Sequence, residues 1–158
     1  MAALRFGYTI LYVSDVGASL EFYERALGQR RRFVHESGQY AELDTGPTTL
    51  ALAAHELAAA NVPGLYRPER RTGAQPTFEV CFITDDVQGS FDRAVAEGAA
   101  EVTPPQTKPW GQDVAYIRDP DGNLVEIASP AGGAYPDTWA YTSSRSASGS
   151  SSWKFSER

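Results

Sequence analysis

The sequence contains an internal repeat, and this repeat restricts the possible folds more than any other feature. The run DVGAS at residues 15–19 matches DVQGS at residues 86–90. In each copy the aspartate follows a run of β-branched and aromatic residues and stands where a helix N-cap belongs. Gly28 and Gly98 then end the two predicted helices, because glycine readily adopts the left-handed conformation of a helix C-terminus. The chain is therefore expected to fold as two copies of one unit.

The repeat continues through the turn that precedes the last strand of each half. Asp44 before the first glycine-containing turn matches Asp119 before the second, and Leu50 aligns with Leu124 once a single gap is introduced. Short turns between strands imply that neighbouring strands run antiparallel. Each half accordingly predicts a strand, a helix and three further strands.

The length of 158 residues suits a single domain with a substantial core. We predict one α+β domain over residues 4–128, made of two tandem βαβββ modules at about 4–54 and 76–128. Residues 55–75 contain prolines and glycines and are expected to form a linker, after a short helical turn. Residues 129–158 are rich in Ser and Gly, which indicates a tail that is disordered or derived from an expression vector.

Composition and charge argue against several classes of function. A net charge of −6 argues against a nucleic-acid partner, because such proteins gather Lys and Arg against the phosphates. No apolar run is long enough to span a membrane, and the first residues lack the pattern of a signal peptide, so we expect a cytoplasmic protein with no membrane partner. The single cysteine, Cys81, lies in an apolar run and is expected to be a small buried side chain.

Three adjacent arginines, Arg30, Arg31 and Arg32, form a cluster of positive charge. On an extended segment their side chains point alternately to opposite faces of the sheet. We interpret the cluster as the solvated edge of a strand and not as a groove that binds phosphates.

Longer stretches of the sequence carry a family resemblance. The segments YTILYVSDVGASLEFYERALG, FEVCFITDDV and KPWGQDVAYIRDPDGNLVEI resemble the vicinal oxygen chelate superfamily, which includes glyoxalases, bleomycin resistance proteins and extradiol dioxygenases. The resemblance covers about residues 4–128. It implies a cupped mixed β-sheet in each module and one ligand cavity formed by two cups, commonly within a homodimer. The expected partners are therefore a small-molecule ligand and a second copy of the chain.

In the metal-dependent members of that family, positions on the first and last strands of each module supply the metal ligands, usually as His and Glu. Carried onto this chain, the resemblance assigns Tyr8 and Leu52 in the first module and Glu79 and Glu126 in the second. A divalent metal generally needs about three protein ligands, and this set offers two good ones. The two histidines of the chain are expected on the surface or in loops and do not complete the set. We therefore expect no metal and no other cofactor.

The two glutamates need compensation for their charge. Glu79 lies inside the apolar run FEVCFI, where an unpaired carboxylate is disfavoured by desolvation. By the family pattern Glu126 faces the same cavity, and two nearby carboxylates resist joint ionisation unless a cation, a hydrogen-bond donor or a metal satisfies them. The alternative is that Glu79 pairs with Arg5 or another donor in the core and merely tolerates its burial.

Aromatic residues surround the same positions. Tyr8 and Tyr12 share one face of the first strand. Tyr116 lies where the resemblance places a tyrosine toward the ligand, and Trp110 stands at a strand entry where it could cover a flat ligand. Aromatic walls with buried carboxylates suit a cationic or amine-bearing aromatic ligand. For each aromatic residue, ordinary core packing is the alternative.

Together these residues predict a metal-free protein of the bleomycin-resistance type that sequesters an aromatic or cationic compound, with no catalytic residue identified. The predicted ligand-binding positions are Tyr8, Tyr12, Leu52, Glu79, Trp110, Tyr116 and Glu126. The alternative is a metal-dependent enzyme of the same superfamily, a glyoxalase-like isomerase, a lyase or a dioxygenase, in which Glu79 and Glu126 hold the metal. A regulatory or scaffold module that uses no pocket is a third class, for which the sequence gives no positive support.

Overall fold

The computed structural model describes residues 4, 6–64 and 78–130. Module 1 contains, in chain order, β1 (Tyr8–Val13), α1 (Val16–Leu27), β2 (Arg31–Val34), β3 (Tyr40–Leu43), β4 (Thr49–Ala54) and α2 (His55–Asn61). Module 2 contains β5 (Val80–Ile83), α3 (Val87–Ala96), β6 (Ala100–Thr107), β7 (Asp113–Arg118) and β8 (Leu124–Ala128). None of the helices in these ranges is long and apolar enough to cross a membrane. Most of the predicted tail, Arg5 and the later part of the predicted linker lie outside the described residues.

Each module forms one four-stranded mixed sheet. The strand order is β1-β4-β3-β2 in the first, called sheet A, and β5-β8-β7-β6 in the second, called sheet B. In both sheets the first strand pairs in parallel with the last, and the remaining pairs are antiparallel. The identical connectivity confirms the predicted α+β fold of two tandem βαβββ modules.

The two repeated helices begin at the aspartates that the sequence singles out. The Asp15 side chain accepts a hydrogen bond from the backbone N–H of Ala18 at 2.9 Å, and the Asp86 side chain accepts one from Gly89 at 2.9 Å. Each bond satisfies a first-turn N–H that has no partner within the helix. Gly28 follows α1 with a φ of 64°, the left-handed conformation that favours glycine.

The predicted linker begins with two helical turns where one was expected. The α2 sequence, HELAAAN, is rich in Leu and Ala and contains neither glycine nor proline, so its helix propensity is high. Pro63 and Gly64 follow the helix in a turn. Because α2 packs against β4 and β1, the chain folds back onto module 1 directly after its last strand.

The two modules share one hydrophobic core, which lies on the helix-covered side of both sheets. Helix α1 packs against α3, and both pack against strands of their own module. Alternate strand residues complete this core, among them Leu11 and Val13 on β1 and Val125 and Ile127 on β8. The intervening side chains point away from the core, and the surfaces that they form are called the open faces of sheet A and sheet B. The open face of sheet A consists of Tyr8, Ile10, Tyr12, Tyr40, Glu42, Thr49, Ala51 and Ala53.

The register of β4 corrects one part of the sequence alignment. Leu52 is fully buried in the core, whereas Ala51 pairs with Ile10 on the open face. In module 2 the residue that occupies the matching position, paired with Cys81, is Glu126. The counterpart of Glu126 is therefore Ala51, and the assignment of Leu52 to the ligand site is wrong. Because side chains alternate along a strand, a gap of one residue moved the prediction to the opposite face.

The turn between β7 and β8 joins the two modules. Asp121 in this turn accepts hydrogen bonds from the backbone N–H of Ser14 at 2.8 Å, from its hydroxyl at 2.6 Å and from the hydroxyl of Ser19 at 3.0 Å. Asp119 is buried and accepts a hydrogen bond from the hydroxyl of Tyr23 in α1 at 3.0 Å. The start of module 1 is thus fixed to the last hairpin of module 2.

Candidate functional site

The open face of sheet B brings two carboxyl groups together. Glu126 lies on β8 between Cys81 of β5 and Tyr116 of β7 in the pairing register. Glu79 directly precedes β5, and alternation along the strand places its side chain on the same face as Cys81. The carboxyl groups of Glu79 and Glu126 lie close enough for each to influence the other, and Glu79 is one cause of the raised pKa of Glu126. The structure therefore groups Glu79, Tyr116 and Glu126, three of the positions predicted from the sequence.

Glu126 holds its proton more tightly than an isolated glutamate does. Burial raises the pKa of Glu126, and the neighbouring carboxyl group of Glu79 raises it further. A hydrogen bond with Cys81 and the charge of Lys108 act in the opposite direction, but the net effect on the pKa of Glu126 is upward. Glu79 itself is exposed and not buried in the apolar run, because it precedes the strand.

Two neighbours of the carboxyl pair remain protonated at neutral pH. Burial raises the pKa of Tyr116, and the charges of Glu126 and Glu79 add to this effect. Desolvation also raises the pKa of the Cys81 thiol to about 12, again with contributions from both glutamates. As a residue Cys81 is exposed, contrary to the sequence-based expectation, because it occupies an open-face position of β5. Both groups are thus suited to donate hydrogen bonds and unsuited to act as nucleophiles.

The open face of sheet A exposes a row of large apolar side chains. Tyr8, Ile10 and Tyr12 alternate along β1, with exposed fractions of 54%, 44% and 40%. Large apolar side chains are usually buried in the core, unless a ligand or another chain covers them. Their exposure along one edge of the sheet marks this face as a surface for a ligand or for another chain.

Small residues form the floor of the same face. The central strand β4 presents Thr49, Ala51 and Ala53, which are buried between the side chains of β1 and β3. On β3 the hydroxyl of Tyr40 donates a hydrogen bond to Glu42 Oε1 at 3.1 Å. Burial raises the pKa of Tyr40 to about 12, with the hydrogen bond to Glu42 as the second cause. The face is therefore a trough, with a floor of small side chains and walls of larger ones.

A polar group lies across one end of this trough. Arg32 extends from β2 over β3, and its Nη1 donates a hydrogen bond to the hydroxyl of Thr49 on β4 at 3.0 Å. Its Nε lies 3.8 Å from Glu42 Oε2. Thr49 is the cross-strand neighbour of Tyr8, so the guanidinium lies next to the first tyrosine of the row.

Sequence reasoning missed the polar residues of sheet A. Tyr40 and Glu42 alternate with the buried Ala41 and Leu43, and this alternation was a signal that could have placed both on the open face. Arg32 gave no such signal, because the register of β2 shifts between Arg31 and Phe33 and the simple alternation of side chains fails there.

The other predicted positions do not join one cluster within the chain. Trp110 lies in the turn between β6 and β7, is 65% exposed, and donates its indole N–H to the side chain of Gln112 at 2.9 Å. Tyr8 and Tyr12 lie on sheet A, whereas Glu79 and Glu126 lie on sheet B. Both open faces point away from the shared core, so among the described residues the tyrosines of sheet A do not join the glutamates of sheet B.

The residues present do not fit the divalent metal that the family resemblance implies. Glu79 and Glu126 could each supply a carboxylate oxygen, but their counterparts in module 1 are Tyr8 and Ala51, and alanine supplies no ligand atom. Within residues 4, 6–64 and 78–130, no group of three or more His, Cys, Asp or Glu side chains is arranged to hold a metal ion.

Comparison with known proteins gives consistent matches over most of the chain. The sequence model of the Glyoxalase/Bleomycin resistance protein/Dioxygenase superfamily matches residues 5–127. The protein YraH of Bacillus subtilis is 34% identical over 118 residues, which covers 74% of this chain and 91% of YraH. A glyoxalase-related enzyme from Fulvimarina pelagi is similar in structure, with a TM-score of 0.70, 21% identity and coverage of 81% of this chain and 89% of the other. A lactoylglutathione lyase from Agrobacterium tumefaciens has a TM-score of 0.60 and 26% identity, and the match covers 85% of this chain and 100% of that structure.

Proposed function

Because the chain belongs to the glyoxalase/bleomycin resistance protein/dioxygenase superfamily, we propose that it binds a small molecule on its open faces without a metal. The ligand is an aromatic compound with a positive charge, and the protein sequesters it without changing it. The observation that carries this proposal is the placement of the carboxyl groups of Glu79 and Glu126 close together beside Tyr116 on the open face of sheet B.

The carboxyl pair supports a positively charged ligand. In the free protein burial and the neighbouring Glu79 disfavour the ionised form of Glu126 and raise its pKa. A protonated amine placed between the two carboxyl groups relieves their repulsion and also donates several hydrogen bonds. The amine therefore favours the ionised form of Glu126 when it binds.

The tyrosines support an aromatic ligand. Tyr116 lies beside Glu126 in the register of sheet B, so a cation bound by the carboxylates lies near an aromatic ring. On sheet A the small floor of Ala51 and Ala53 leaves room for a flat group next to Tyr8 and Tyr12. Stacking between aromatic rings is favourable in such a geometry.

A second copy of the chain closes the site in this proposal. The two open faces of one chain both point away from its core, and each alone is an open surface. If sheet A of one copy covers sheet B of another, the carboxyl pair and the tyrosine row enclose one cavity. A closed two-fold dimer then contains two equivalent sites.

A metal-dependent isomerase, lyase or dioxygenase is the second candidate function. Its support is the similarity to the lactoylglutathione lyase from Agrobacterium tumefaciens. In that case Glu79 and Glu126 would hold a divalent ion that polarises an oxygen of the substrate. The donor set of this chain argues for the first candidate, because Ala51 stands where a further ligand would be needed.

The proposal is tested by calorimetry with two indoles that differ in charge. Tryptamine carries an ammonium group, and 3-propylindole has a methyl group in its place. At pH 8 the Glu126→Gln substitution is expected to weaken tryptamine binding by about 1 to 3 kcal/mol, because a charged hydrogen bond is lost. The affinity for 3-propylindole should change much less.

A matched control is Glu101→Gln, which removes the same charge from an exposed residue of β6. Glu101 pairs with Ile117, whose side chain lies in the core, so Glu101 is not part of the open face. Equal losses for both indoles in Glu126→Gln, or an equal loss of tryptamine affinity in the control, would refute selection by charge. Tryptamine binding that disappears with a chelator and returns with a divalent metal would favour the second candidate.

A further inference from the structure

The three adjacent arginines have different partners in the folded chain. Arg31 forms a two-pronged ion pair with Glu24 of α1, with Nε–Oε1 and Nη2–Oε2 distances of 2.8 and 2.7 Å. Arg30 lies 3.8 Å from Asp44. Arg32 alone among the three reaches over the open face of sheet A, where it contacts Thr49. The cluster is therefore more than a solvated strand edge.

The guanidinium of Arg32 keeps donors for a ligand. A guanidinium has five N–H donors in a planar fork. Arg32 directs Nη1 to Thr49, and its Nε lies 3.8 Å from Glu42, which is longer than a hydrogen bond. Within the described part of the chain Nη2 makes no hydrogen bond, and the side chain is 56% exposed. One edge of the fork is thus open to solvent.

Neighbouring side chains fix the position of this fork. Thr49 is buried and holds Nη1, so it anchors the end of the arginine above β4. Glu42 has a side chain that is only 14% exposed, and the hydroxyl of Tyr40 donates to it. A guanidinium held on one side by such partners loses less entropy when it binds a ligand on its other side.

We propose that Arg32 forms an anion-binding subsite on the open face of sheet A, which takes the carboxylate of an aromatic ligand. A carboxylate matches the spacing of two parallel N–H donors of the fork. Tyr8, the cross-strand neighbour of Thr49, provides a ring beside the subsite against which the aromatic part of the ligand packs. The anion and the ring are therefore recognised side by side.

This inference rests on the proposed function and narrows the class of ligand. The open face of sheet B carries the acidic pair Glu79 and Glu126, whereas the open face of sheet A carries Arg32. When two copies enclose a cavity between these faces, one end is anionic and the other offers a guanidinium. The ligand that matches both ends is a flat aromatic compound with an amine at one end and an acid group at the other.

The test uses indole-3-propionate, in which a carboxylate replaces the terminal methyl group of 3-propylindole. Calorimetry at pH 8 and one ionic strength is expected to show about 10-fold weaker binding of indole-3-propionate to Arg32→Gln than to the unmodified protein. The affinity for 3-propylindole should be the same in both. Arg30→Gln, the matched control, removes the same charge two residues away and should leave both affinities unchanged.

Arg32→Lys separates the geometry of the fork from its charge. A lysine keeps the charge but offers no pair of parallel donors, so its affinity for indole-3-propionate should lie between those of the unmodified protein and Arg32→Gln. Thermal unfolding of each variant checks that the fold is retained. If Arg32→Gln unfolds, a loss of affinity in the folded Arg32→Lys variant supports the subsite, and an unchanged affinity overturns it.

Failure of this inference and failure of the proposed function give different results. Unchanged binding of indole-3-propionate to Arg32→Gln, with tryptamine still dependent on Glu126, overturns the Arg32 subsite alone. Weaker binding of indole-3-propionate to Arg32→Gln, with tryptamine binding that does not depend on Glu126, overturns the cation site alone and supports the Arg32 subsite. Absence of binding for all three indoles at millimolar concentration overturns both.

Discussion

Glu126 is the residue whose ionisation controls the proposed site. Its pKa is raised by burial and then by the neighbouring carboxyl group of Glu79. The other charged or titratable groups that face it are Cys81, Tyr116 and Lys108, of which Lys108 favours the ionised form. In the proposed complex a bound ammonium group favours the ionised form more strongly than Lys108 does, because it lies directly between the two carboxyl groups. Binding of a cation is therefore linked to the release of a proton.

This linkage predicts how affinity depends on pH. Tryptamine needs the ionised pair, so its affinity should fall as the pH decreases through the raised pKa of Glu126. The fall should start at a higher pH than the ordinary pKa of a glutamate would give. Calorimetry in two buffers with different ionisation enthalpies should show proton release on binding in that pH range. Glu126→Gln should remove both the release and this part of the pH dependence.

A proton release that persists unchanged in Glu126→Gln would assign the titration to another group. The 3-propylindole control binds without charge and should release no proton at any pH. Proton release with that compound would contradict the exchange of an ammonium group for the proton of Glu126.

Some residues of the site could be placed from the sequence, and others could not. The distance of seven residues to each N-cap aspartate placed Tyr8 and Glu79 at matching positions, because helix caps and strands keep a fixed spacing in both modules. Ala51 could not be placed, because the two turns before β4 and β8 differ in sequence and an alignment with a gap of one residue shifts the register. Arg32 was missed because its contacts with Thr49 and Glu42 cross three strands, and no local pattern encodes such contacts.

Among the elements, the turn between β7 and β8 carries several side-chain hydrogen bonds between the modules. Asp119 receives the hydroxyl of Tyr23, the side-chain amide of Asn123 and two backbone N–H groups of its own turn. Burial raises the pKa of Asp119, whereas the hydrogen bonds from Asn123 and Tyr23 lower it. The carboxylate is thus stabilised by its donors against the cost of burial.

Removal of one of these donors should destabilise the whole domain. Tyr23→Phe deletes the hydroxyl that donates to Asp119 and keeps the ring in the core, and we expect a loss of about 1.5 to 3 kcal/mol in the free energy of unfolding at pH 7. The loss should shrink as the pH falls through the raised pKa of Asp119, because the protonated carboxyl needs the donor less. Urea denaturation at several pH values measures both effects.

Tyr40→Phe is a suitable comparison for this substitution. The Tyr40 hydroxyl also donates to a carboxylate, Glu42, but it lies on an open face and connects residues of a single strand. Its removal should cost less stability than the removal of the Tyr23 hydroxyl. Equal losses of unfolding free energy in the two variants would show that the contact between the modules contributes no more to stability than the contact within one strand.

The helices and strands could be predicted from local sequence signals. The relative orientation of the two modules could not. Asp15, Asp86 and Gly28 mark helix ends through hydrogen bonds and backbone angles that are local to the chain. The packing of α1 against α3 depends on side chains that are far apart in sequence. The sequence repeat therefore predicted two like units but not the direction in which their open faces point.

On the scale of the whole molecule, the shared core has a consequence for assembly. The helices of both modules pack together, so the helix-covered sides of the two sheets form the shared core. The open faces are then available for contacts with another molecule. Within the part of the chain that the structure describes, the large side chains of β1 remain exposed, and binding of another molecule would cover them. A homodimer is the simplest arrangement that covers both faces at once.

Mixing of two variants tests whether each site contains residues from two copies. Tyr8→Lys in sheet A and Glu126→Lys in sheet B should each abolish tryptamine binding, because each adds a positive charge to the cavity. After subunit exchange, a mixed dimer contains one site with both substitutions and one site with neither. Tryptamine binding should therefore return when the two variants are combined.

If one chain formed the complete site by itself, every site in the mixture would retain one substitution and no binding would return. Light scattering should give the mass of a dimer for each variant. A mass equal to that of one chain at all concentrations would exclude the shared site.

Alternate side chains of β4 belong to the core and to the proposed site. Leu50 and Leu52 face the core, and Thr49, Ala51 and Ala53 face outward. Selection can therefore act on the two sets almost independently. A lineage can enlarge or reduce the outward side chains to accept a new compound while the inward leucines preserve the folded state. The same separation makes this strand a suitable region for directed evolution, in which a library confined to the outward positions would vary ligand preference at little cost to stability.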